Sequence, residues 1–158
     1  MAADATSPKV IFTAGSPGAG KGYVLASLHP SLPVVDCDKH KEAHPDYDPK
    51  NPGALHAYSS AAASREFAEM LGKGETFVYD GTGANVEKMV QMINAAHGAG
   101  FETEILYVKV RLATALRRNA GRERVVPEEL VREKFTLLAT AIEILSGYAG
   151  RIVTVNND

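Results

Sequence analysis

Seven residues constrain this chain more than any others. Gly15-Ser16-Pro17-Gly18-Ala19-Gly20-Lys21 fills the first seven positions of G-x-x-x-x-G-K-[ST]. The apolar run Lys9-Val10-Ile11-Phe12-Thr13-Ala14 precedes them and reads as a short buried strand, and a helix to about Leu28 is expected after them. A strand, a glycine-rich turn and a helix start form the context in which this spacing means phosphate binding. Glycines let successive backbone N–H groups turn inward around phosphate oxygens. The helix start adds a positive partial charge, and Lys21 adds a full one. Gly15, Ser16, Pro17, Gly18, Ala19, Gly20, Lys21, Gly22 and Tyr23 are therefore the candidate nucleotide-binding set.

The eighth position departs from the pattern, with Gly22 where Ser or Thr normally holds Mg²⁺. Two readings stay open. Carboxylates and water hold the metal instead, or the chain is a weakened binder. The string Gly-x-Pro-Gly-x-Gly-Lys-Gly also resembles the loop of adenylate and other nucleoside monophosphate kinases, so Gly22 alone does not mark inactivity.

The rest of the chain alternates strands with helices. Strands are expected at Pro33–Asp36, Thr76–Tyr79, within Phe101–Val110 and at Ile152–Val155. Helical spacing runs over His56–Leu71, over Val86–Ala96 and from Ala113 to Asn119. A last helix follows Pro127, which suits a first helical position, with Glu128 and Glu129 at the positive end of its dipole. Several strands are continuous apolar runs, as a parallel sheet covered on both faces requires. The expected fold is a three-layer α/β/α P-loop NTPase domain, with a mainly parallel five-stranded sheet and a short Arg-rich lid. Residues 1–8 read as a flexible N-terminus and 9–158 as one domain.

Composition sets the outer limits. The 158 residues carry 17 Lys plus Arg against 19 Asp plus Glu, a net charge of −2. That balance does not favour nucleic acid as partner. One cysteine, Cys37, excludes an internal disulfide and a cysteine-built zinc cluster. Cys37, His40 and His44 could be drawn as a zinc site, but they straddle a loop without a fourth ligand. No apolar run approaches the roughly 18 residues of a membrane span. Met1 to Lys9 lacks the charge and apolar pattern of a secretory signal, so a cytoplasmic, reduced compartment is expected, with organelle stroma left open.

Acids stand where strands end. Asp36 and Asp38 are two apart, and a strand continuing through them would point both to one face. Ligands of open α/β sheets bind beyond the carboxyl ends of the strands. One carboxylate is expected to take the proton of an acceptor hydroxyl while the other supports Mg²⁺-bound water. A helix cap is the plain alternative for either. Asp80 ends another strand and is the expected metal support, with Gly81-Thr82-Gly83 giving close backbone approach and a hydroxyl. Arg117, Arg118, Arg122 and Arg124 are four arginines within eight residues. Their planar forks suit phosphate oxygens, which reads as a lid.

These features, in this order, resemble the zeta-toxin-like kinases, relatives of polynucleotide kinases and chloramphenicol phosphotransferase. The residues that carry the resemblance are Gly15 to Lys21, Val35-Asp36-Cys37-Asp38 running on to His44-Pro45-Asp46-Tyr47, Asp80-Gly81-Thr82-Gly83, and Arg117 to Pro127. The resemblance implies ATP and Mg²⁺ as cofactors and Lys21 on the β- and γ-phosphates. It implies Asp38 as general base, Asp80 on the metal and Thr82 on the acceptor. Arg118 and Arg124, or their neighbours Arg117 and Arg122, would clamp ATP and stabilise transfer.

Toxins of that family phosphorylate a sugar hydroxyl of UDP-N-acetylglucosamine. Three departures separate this chain from them: Gly22, Ala84 in place of an arginine, and Ser64 in place of an acceptor-binding glutamate, with Glu66 two residues on. The expectation is a kinase acting on a small molecule, nucleotide or nucleotide sugar, with Asp36, Thr82 and Ser64 toward the acceptor. The alternatives are a 5′-hydroxyl polynucleotide kinase and a nucleotide binder without turnover. The departures leave an antitoxin-type partner unsupported.

Overall fold

The structure is a computed structural model that describes residues 7–16, 18–51, 54–81, 83–122 and 125–158. Its strands are β1 (Lys9–Ala14), β2 (Val34–Asp36), β3 (Phe77–Asp80), β4 (Glu102–Lys109) and β5 (Arg151–Asn156). Its helices are α1 (Lys21–Leu28), α2 (Cys37–Glu42), α3 (His56–Lys73), α4 (Val86–Gly98), α5 (Leu112–Ala120) and α6 (Glu128–Leu145). The five strands form one parallel sheet in the order β2-β3-β1-β4-β5. β1 is central, and every residue from Val10 to Ala14 is buried. A strand buried on both faces needs helices above and below.

Alternate residues of β1 feed the two layers. Val10, Phe12 and Ala14 join Phe67, Phe77, Tyr79, Ile93, Phe101 and Leu138 on the face covered by α3, α4 and most of α6. Ile11 joins Val24, Leu25, Val78, Leu106, Val108 and Ala115 on the face covered by α1 and α5. Phe67 sits at the centre of an aromatic cluster, 5.7 Å from both the Phe77 and Tyr79 rings. Burying such rings dominates the energetics of a core this size.

The fold matches the expected class, with local differences. Strand β2 stops at Asp36, and a helix begins at Cys37. Asp38 therefore lies in the first turn of α2, and the alternation argument that put Asp36 and Asp38 on one strand face fails. Pro127 is the N-cap of α6 rather than its first residue. No helix among the described residues is long and apolar enough to cross a membrane.

Candidate active site at the carboxyl edge of the sheet

The parallel strands all end on one edge, and helices α1, α2 and α5 start or pass there. An open cleft of about 690 Å³ lies between them. One wall is the phosphate loop, through Gly18, Gly20, Lys21 and Gly22. The opposite wall is acidic, with Asp36, Asp38, Glu42 and Asp80 beside Gly81 and Lys39. Arg118 and Arg122 reach in from α5 and the turn beyond it.

The loop's shape follows from its glycines. Gly18 and Gly20 take φ of +89° and +83°, which L side chains rarely adopt. A Cβ on Gly18 would come 2.2 Å from the Ala115 carbonyl oxygen. The loop can therefore pack against α5 only with glycine at that point. Lys21 opens α1 and donates from Nζ to the Gly15 carbonyl oxygen at 3.2 Å. Withdrawal from water lowers its pKa, Asp80 opposes that shift, and Arg122 adds to it.

On the acidic wall, Asp36 caps α2 by accepting from the Asp38 N–H at 2.9 Å. The plain alternative is thus true of Asp36 without removing it from the cleft. Loss of water, then the nearby Asp80, push its carboxyl up to about 6. Two carboxylates crowded this way are a fit for a cation, which would relieve both. Asp80 is oriented by Thr13, whose hydroxyl donates to Asp80 Oδ1 at 2.5 Å and accepts from the Gly81 N–H at 2.9 Å. Thr13 is buried in β1, so it fixes the acid to the central strand.

The cleft gathers Gly18, Gly20, Lys21, Gly22, Asp36, Asp38, Asp80, Arg118 and Arg122 from the expected set. Gly15, Ser16 and Ala19 are buried inside the loop. Tyr23, Arg117 and Ser64 are exposed and do not line the cleft. Ser64 faces outward because the buried stripe of α3 is Ser59, Ala62, Ala63, Phe67 and Met70. Pro17, Thr82 and Arg124 lie outside the described residues. Cys37, His40 and His44 are engaged elsewhere, with Ser59 (3.3 Å), Glu66 (2.7 Å) and the Asp46 N–H (3.0 Å). Sequence reasoning missed Lys39, Glu42 and Thr13. A polar residue inside an otherwise apolar central strand was the available signal for Thr13.

The family described as Zeta toxin matches residues 2–157. Among curated proteins none matches the sequence. A chain of the PezAT chromosomal toxin–antitoxin system of Streptococcus pneumoniae superposes with TM-score 0.73 at 15% identity, covering 96% of this chain and 69% of that one. A chain of AvrRxo1-ORF1:-ORF2 with ATP gives 0.72 at 15%, covering 98% and 56%. Shikimate kinase from Acinetobacter baumannii, in complex with shikimate, gives 0.56 at 17%, covering 98% and 88%. The chain thus spans little more than half of the AvrRxo1 relative. At these identities the likeness is one of fold. It also corrects one expectation. Similar chains come from a toxin–antitoxin system and from a two-protein complex, so the rejection of an antitoxin-type partner does not stand.

Proposed function

The chain belongs to the zeta toxin family, and from that premise we propose an ATP-dependent phosphotransferase. It moves the γ-phosphoryl group to a hydroxyl of a small molecule, nucleotide or nucleotide sugar. The observation that carries this is the shared cleft, where the phosphate loop and Lys21 face Asp36, Asp38 and Asp80 with Arg118 and Arg122 alongside.

The chemistry needs positioning and charge more than covalent help. The loop N–H groups and Lys21 hold the β- and γ-phosphates. Asp38, exposed in the first turn of α2, takes the proton of the attacking hydroxyl as its oxygen bonds to phosphorus and ADP leaves. Arg118 and Arg122 meet the charge that spreads over the transferring oxygens. Asp80 and Asp36 would hold Mg²⁺ through water, and that ion would neutralise charge on the phosphates. Thr82 on the acceptor and Arg124 on ATP complete the reading.

The test separates binding from transfer. Asp38→Asn is expected to bind ATP as wild type does and to lose transfer by at least ~100-fold, the usual worth of a general base. Lys21→Ala is expected to lose both. Normal turnover by Asp38→Asn contradicts the assignment of the base. A cytoplasmic location and a protein partner of the antitoxin type go with the proposal. Isolation of the tagged chain from its native cells checks the partner: a stoichiometric second polypeptide is expected, and the chain alone is the contrary result.

A further inference from the structure

The phosphate loop is also held from outside, by a side chain that the scheme above does not use. Asn157, just beyond β5, donates from Nδ2 to the Ala19 carbonyl oxygen at 2.9 Å. Arg118 Nη1 donates to the same oxygen at 3.3 Å. The Asn157 backbone is itself fixed, since its N–H donates to the Lys109 carbonyl at 2.9 Å. Asp158 accepts from the Arg111 N–H at 3.0 Å and from Thr114 Oγ1 at 2.9 Å. The same short segment therefore grips the start of α5, the helix that carries Arg118. The fit is close: a Cβ on Gly20 would lie 2.5 Å from Asn157 Nδ2.

The geometry has a direct consequence. In a trans peptide the C=O and the following N–H point opposite ways. With the Ala19 carbonyl turned to Asn157 and Arg118, the Gly20 N–H is turned the opposite way, and Gly20 lines the cleft. Gly20 has no Cβ to resist rotation of that peptide. The loop's own bonds, from the Ala19 N–H to Ser16 and from the Val24 N–H to Gly20, flank it, and the two side chains are the donors that hold its carbonyl. We propose that Asn157 is a positioning residue. It fixes the Ala19–Gly20 peptide so that the Gly20 N–H faces the nucleotide phosphates, and it keeps that peptide fixed when Arg118 leaves Ala19 for the phosphoryl group. The inference rests on the reading of the cleft as an ATP site.

The experiment measures ATP affinity by calorimetry and melting temperature for the whole chain. It compares wild type, Asn157→Ala, Asn157→Asp, Arg118→Ala and the Asn157→Ala/Arg118→Ala pair. Asn157→Ala is expected to weaken ATP binding by roughly five- to tenfold, the worth of one such hydrogen bond. Asn157→Asp keeps the size and sets an oxygen against the Ala19 oxygen. It is expected to lose more affinity than Asn157→Ala, with a cooperative melting transition showing that the chain still folds. The double variant is expected to bind at about the product of the two single factors, because in the bound state Arg118 has left Ala19 for the phosphate and does not stand in for Asn157. Wild-type affinity in Asn157→Ala or Asn157→Asp overturns the proposal, and so does a double variant that binds no more weakly than Arg118→Ala alone. A wild-type chain that binds no ATP brings down the underlying reading as well, so the two failures are distinguishable.

Discussion

At the scale of single residues, the phosphate loop was legible because its demands are local. Spacing, backbone freedom and one charge suffice, and the structure puts Gly18, Gly20 and Lys21 on the cleft wall. Gly22 is the informative departure. A Cβ at Gly22 would meet nothing within 4 Å, so the missing hydroxyl is not excluded by packing. Gly22→Ser is expected to fold and to melt higher, since glycine inside a helix costs about 0.5 kcal/mol relative to serine. It is also expected to lower the Mg²⁺ concentration needed for ATP binding, because the hydroxyl would stand where the motif's metal ligand stands. Melting curves and Mg²⁺-dependent ATP titrations check the two halves separately. An unchanged Mg²⁺ requirement would mean that the carboxylate wall already satisfies the metal. Thr13 was hidden for the converse reason: its role depends on Asp80, 67 residues away, and no local pattern records that.

At the scale of elements, α2 shows where sequence patterning gives out. Cys37-Asp38-Lys39-His40-Lys41-Glu42 has no apolar period to betray a helix. Its signals are electrostatic: Asp36 caps the start, and Lys39, His40 and Lys41 sit in the last turn. Asp36 thus has two duties that pull apart, a cap and a crowded cleft carboxylate. Its carboxyl is raised from an ordinary 3.8 to about 6, so the folded chain holds that proton more tightly than the unfolded one. The resulting stability is fully present below the unfolded value and is lost as pH rises through about 6. Asparagine caps helices as well as aspartate and carries no charge. Asp36→Asn is therefore expected to raise the melting temperature at pH 7–8 in the absence of Mg²⁺, with the gain vanishing below about pH 4. Thermal melts across that range, with and without the substitution, read the effect. A gain that does not depend on pH would place its origin elsewhere than in this ionisation.

At the scale of the whole molecule, alternation of strands and helices together with continuous apolar strands gave the layered parallel architecture. The order β2-β3-β1-β4-β5 is not written in any one segment, because it arises from pairing among strands far apart in the chain. The contact between Asn157 and Ala19 spans 138 positions and escapes any reading of local motifs for the same reason. Those long-range contacts are what convert a recognisable loop into a cleft that also has an acidic wall and two arginines, Arg118 and Arg122. The acceptor is the least legible part, since Ser64 turned outward and acceptor surfaces vary on a constant phosphate scaffold.

The central claim is transfer itself. The measurement is γ-phosphoryl transfer from labelled ATP with Mg²⁺ to nucleotide sugars, nucleosides, nucleoside monophosphates, small polyols and a 5′-hydroxyl oligonucleotide, with Lys21→Ala alongside. The account predicts a labelled small-molecule product that disappears in the variant. Tight ATP binding with no labelled product from any acceptor, or a product that persists in Lys21→Ala, would contradict it.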